Sequence, residues 1–87
     1  MSNAIRIAAA ANMLAPAHSE LLKLGFSVTQ VAASERGPSI LRATKASLVL
    51  EGEDTLQLLG LATLAEKRGA NWEPTDSEVN AFLRLEE

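Results

Sequence analysis

His18 is the only histidine in the chain, and it lies in Ala17-His18-Ser19-Glu20-Leu21, beside a hydroxyl and a carboxylate. A nucleophile, a base and an acid that orients the base are the right residue types for acyl transfer, provided that they converge in space. Adjacent residues on a helix point in different directions, so this run does not by itself make a nucleophile–base pair. The reading is a surface or half-buried helix histidine. Glu51, Glu53 and Asp54 form a second acidic grouping, but Glu-Gly-Glu-Asp lacks the spacing of a calcium loop. Helix capping accounts for Asp54 without a ligand. The five glycines, at 25, 37, 52, 60 and 69, are scattered and build no phosphate cradle. With no cysteine, neither a disulfide framework nor thiolate chemistry is available, and a single histidine does not make a structural zinc site. No catalytic residue, metal or cofactor is therefore expected, and the chain does not read as an enzyme.

Arg36, Arg42 and Lys45 are the residues that would meet phosphates if the protein bound nucleic acid. Against that stand a sequence pI near 5.1, aromatics at 3% and the absence of any Lys/Arg tract. The odd spacing of Arg42 and Lys45 would also put them on opposite sides of a strand. The net charge of −3 is unevenly spread. Residues 1–50 carry five basic and two acidic side chains, and residues 51–87 carry three and nine. The plain reading is acids on solvated helix faces and in first turns, where the helix dipole favours them.

The elements that would position these residues are those of one small domain, residues 1–87. At 47% hydrophobic and 22% charged, the composition is that of a folded chain. A chain this short buries only about 60–65% of its unfolded surface, so its core has little to spare. No apolar run reaches the 18 or so residues of a membrane span. The alanine-rich stretch IAAAANMLA is interrupted by Asn12 and makes a poor signal peptide, so a cytoplasmic protein is expected. Ser2-Asn3-Ala4 has the look of a cloning remnant, and residues 1–13 are left open as strand, helix start or flexible segment. The opening IRIAAAANM with ELLKLGFSVT resembles the first strand, helix and second strand of periplasmic solute-binding proteins. Those are two-lobed and several times longer, and no family is assigned to the chain.

Pro16 at a helix start and Gly25 at a helix end bracket Leu14, Ala17, Leu21 and Leu24 on one face, which predicts a helix over 16–24. Residues 26–33, FSVTQVAA, turn β-branched and alternating. A loop over 34–39 separates them from strands at 40–45 and 47–52. The link at Lys45-Ala46-Ser47 is short and lacks the usual glycine. Three strands joined this closely form an antiparallel meander. Asp54 and Gln57 then read as a capping box opening a helix over 55–68. Leu56, Leu58, Leu59, Leu61 and Leu64 go nearly all the way round it, which implies burial on every side, by the terminal helices or by a second copy. Gly60 is taken to mark a close approach there. Thr75 and Glu78 form a further capping box, with Pro74 and Val79 at the positions of a hydrophobic staple, and Val79, Phe82 and Leu83 give the last helix an apolar stripe.

The expected fold class is α+β: N-terminal helix, three-stranded antiparallel meander, long apolar helix and short C-terminal helix. Trp72, the only tryptophan, lies in the link between the last two helices. The first reading has it fold back to close that corner, and the other leaves it exposed as a binding anchor. With no catalytic residue in view, the expected function is that of a non-enzymatic protein-interaction module, such as an adaptor, immunity-like protein or subunit. Its partner would be another protein or a second copy in a C2 homodimer. The interface candidates are Trp72, Leu58, Leu61, Leu64, Arg36 and Arg42. A nucleic-acid-binding regulator using the hairpin's basic residues and a small-molecule-binding domain are the alternatives.

Overall fold

A computed structural model describes residues 4–31, 40–69 and 71–85. Residues 4–10 adopt neither helix nor strand, and Ile5 and Ile7 are exposed, so the segment that resembles the opening strand of solute-binding proteins is not one. A short 3-10 turn at Ala11–Met13 leads into helix α1, Leu14–Lys23. This helix begins two residues ahead of Pro16. Proline needs no N–H partner anywhere in a first turn, so Pro16 permits the earlier start. At the other end Gly25 has φ +97°, its N–H donates to the Leu22 carbonyl, and the Phe26 N–H donates to the Leu21 carbonyl, each at 3.0 Å. That pair of bonds is the Schellman termination, and its usual apolar contact is made here by Leu21 and Phe26, both in the core.

The sheet has strand order β1-β2-β3, all antiparallel, with β1 at Ser27–Val31, β2 at Ile40–Lys45 and β3 at Leu48–Gly52. The expected end of the first strand at residues 32–33, the 34–39 loop and Arg36 lie outside the described residues. Val28↔Ala43 and Ala43↔Leu50 are partners in register, and they face the helices. Thr29↔Arg42 and Arg42↔Glu51 face the other way, because side chains alternate along a strand. Lys45 and Leu48 are paired, leaving Ala46 and Ser47 as a two-residue turn in which Ala46 takes φ +52°. A type II′ turn needs such a positive angle at its first central position and normally fills it with glycine.

Helix α2, Thr55–Arg68, is capped by Asp54, whose carboxylate accepts from the Gln57 N–H at 2.8 Å. The return half of the expected capping box is displaced by one residue: the Gln57 side-chain carbonyl accepts from the Glu53 N–H, at 2.8 Å, rather than from Asp54. Gly52 makes room for it, since a Cβ there would lie 3.2 Å from that oxygen. The Thr55 hydroxyl donates to the Leu14 carbonyl at 2.5 Å and ties the first turns of α1 and α2 together. Both helices cover one face of the sheet, around Leu21, Phe26, Ala43, Leu50, Leu58 and Ala62. No helix among the described residues is long and apolar enough to cross a membrane.

Two expectations about α2 are corrected here. It is buried on one side only, through Thr55, Leu58 and Ala62, while Leu61 and Leu64 face outward. Gly60 does not mark a close approach, because a Cβ added to it would meet nothing within 4 Å. The physical reason is a shortage of covering elements. Helix α3, Asp76–Arg84, follows a complete Thr75–Glu78 capping box but buries none of its own residues and leaves the outer side of α2 open.

Candidate functional site

Leu48 and Val49 of β3, Leu61, Leu64 and Ala65 of α2, and Trp72 of the following link line one groove of about 680 Å³. The groove exists because β3 is an edge strand and α2 crosses behind it with no further element alongside among the described residues. Trp72 is 63% exposed, Leu64 47% and Leu48 37%, so the apolar lining is presented rather than packed away. Isolated exposed apolar residues are ordinary on a protein surface, but a contiguous cluster with a tryptophan is the pattern of interaction sites.

The link that carries Trp72 is set by charge. Gly69 ends α2 at φ +60°, with its N–H on the Ala65 carbonyl at 2.8 Å. Arg68, in the last turn of α2, donates through both terminal guanidinium nitrogens to Glu78 in the first turn of α3. It also donates to the Trp72 carbonyl at 3.4 Å. The corner is thus closed by Arg68, and the reading in which the indole folds back to close it is not what the structure shows. No local pattern announces this pair. Its components are a cation at one helix C-terminus and an acid at the next N-terminus, each already explained by the helix dipole.

Of the six interface candidates, Trp72, Leu61 and Leu64 come together in the groove. Leu58 does not: it is fully buried in the core, while Leu61, three residues on and about 60° round the helix, stands at the edge of that buried face. Arg42 stands on the helix-free face of the sheet and holds Glu51 with Nε at 3.0 Å and Nη2 at 2.7 Å. Its charge is thereby engaged. Lys45 lies on the other face, its Nζ 5.8 Å from the centroid of the Phe26 ring. The two basic residues therefore do not share a surface, as their spacing implied. Arg36 lies outside the described residues.

Sequence reasoning named no residue of β3 for the site, because the edge position a meander gives its third strand does not say whether a helix leaves a groove beside it. A second cavity, of about 550 Å³, brings His18 to the same opening as Glu53 and Asp54, residues that lie far apart in the sequence. Asp54 is already committed there as the cap of α2. Among the described residues no group of three or more His, Asp or Glu is arranged to hold a metal ion. Comparison with known protein families, with curated proteins and with solved structures finds no match.

Proposed function

We propose that this chain is a non-enzymatic protein-interaction module of the cytoplasm, and that the groove between β3 and α2 is its binding surface. The observation that carries this reading is the exposure of Trp72 beside Leu48, Leu61 and Leu64 in one concave patch. Burial of a tryptophan at the centre of an interface, with apolar neighbours that exclude water around it, is how a small module gains much of its affinity. The fold supplies the rigid backing: β3 and α2 are held by the core, and Arg68 fixes the backbone at Trp72. The bound partner is a protein surface, whether another chain or a second copy.

The test uses the full chain and two variants, Trp72→Ala and Leu64→Asp, both at exposed positions where little change in melting temperature is expected. Each is expected to weaken a stoichiometric complex, with itself or with another protein, by about 30-fold or more, the loss typical of a hot-spot residue. Complexes that survive both substitutions at wild-type strength would overturn the reading.

A further inference from the structure

We propose that the occupant of this surface is a second copy of the chain, joined edge to edge through β3, antiparallel about a two-fold axis at Leu50, to make one six-stranded sheet. This rests on the groove being a protein-interaction surface and names what fills it.

The hairpin decides which backbone groups are available. Lys45 and Leu48 close a two-residue turn and are a hydrogen-bonded pair, so bonding to β2 alternates from there along β3. Leu48, Leu50 and Gly52 turn their N–H and C=O groups towards β2. Val49 and Glu51 turn theirs outward, and among the described residues nothing meets them. Edge strands are normally blunted by lysine, proline or a bulge. Leu48–Gly52 has none of these devices; its one charge, Glu51, is paired with Arg42 on the helix-free face of the sheet.

The register follows from charge and shape. Centred on Glu51, the pairing would set one carboxylate against its own copy. Centred on Val49, it would draw on Ser47, which belongs to the turn. Centred on Leu50, it sets Val49 of each copy opposite Glu51 of the other, and all four outward groups of each strand are used. In that register Leu48 also lies opposite Gly52 of the second copy, a bulky side chain against one with no Cβ. No like charges are directly opposed. The apolar lining of the groove then flanks the axis from both sides. Leu48, Val49, Leu61, Leu64 and Trp72 offer on the order of 450 Å² per copy, against about 800 Å² per partner in a standard interface. The dimer is therefore a weak one, formed at micromolar concentrations or above.

Sedimentation of the 87-residue chain up to the millimolar range tests this, together with amide exchange at Val49 and Glu51. The expected result is a reversible dimer in which those two amides gain protection as concentration rises. Charge variants then test the register. Val49→Lys places a cation opposite Glu51 of the second copy and should tighten the dimer about three- to tenfold, while Val49→Glu should weaken it by a similar factor. Val49 is exposed, so both variants should fold, as circular dichroism would show. Equal weakening by both variants would overturn the register. A strict monomer, or protection of β3 only on adding a different protein, would overturn self-pairing. The groove would still stand in either case if Trp72→Ala and Leu64→Asp abolish binding of that other protein, and would fall with the pairing if they change nothing.

Discussion

Arg68 and Glu78, ten residues apart, form the only side-chain ion pair among the described residues that joins α2 to α3, and α3 has no buried residue to hold it in place of that pair. The pair is one-third exposed or more on each side, so it contributes little to global stability: about 0–1 kcal/mol for a pair of this kind. Its effect is positional. Arg68→Ala is expected to leave the urea midpoint of the domain nearly unchanged while amide exchange across Asp76–Arg84 rises several-fold. Equal protection of α3 in the variant would show that something other than Arg68 holds it.

Gly60 is expected to be a liability in the free chain. A Cβ at that position meets nothing within 4 Å, and glycine in an exposed helix interior costs about 1 kcal/mol relative to alanine. Gly60→Ala should therefore raise unfolding stability by roughly that amount in denaturant titration. An unchanged or lower midpoint would mean that another surface approaches α2 at this point.

Ala46 carries strain of the opposite kind. At φ +52° its side chain occupies the left-handed region that glycine adopts freely. Ala46→Gly is expected to stabilise the hairpin, and with it the domain, by about 0.5–1 kcal/mol. A loss of stability would show that the turn relaxes to another type without cost.

The features legible in the sequence are those that a few neighbouring residues specify. The Thr75–Glu78 capping box, the Asp54 cap, the Gly25 termination and the bounds of α2 and β2 all lie within such windows, and each is found where its residues place it. The boundaries that shifted are those of α1, which starts two residues ahead of Pro16, and the starts of β1 and β3, each one residue later than expected. The order of the elements and the antiparallel meander followed from strand alternation and short links alone.

The site was legible only in part. The leucines of α2 run nearly all the way round the helix, so the pattern did not say which of Leu58, Leu61 and Leu64 would be covered. That depends on how many elements the chain has left to cover them, and α3 covers none. Trp72 illustrates the same limit: its place in a helix–helix link is written in the sequence, while its exposure depends on Arg68 closing the corner first. The engagement of Arg42 by Glu51 likewise needs the register of β2 against β3. Hydrogen-bonded caps and hydrophobic periods are local, so the sequence by itself determined the elements. Coverage, exposure and charge pairing are relations between distant residues, and only the tertiary structure decided them.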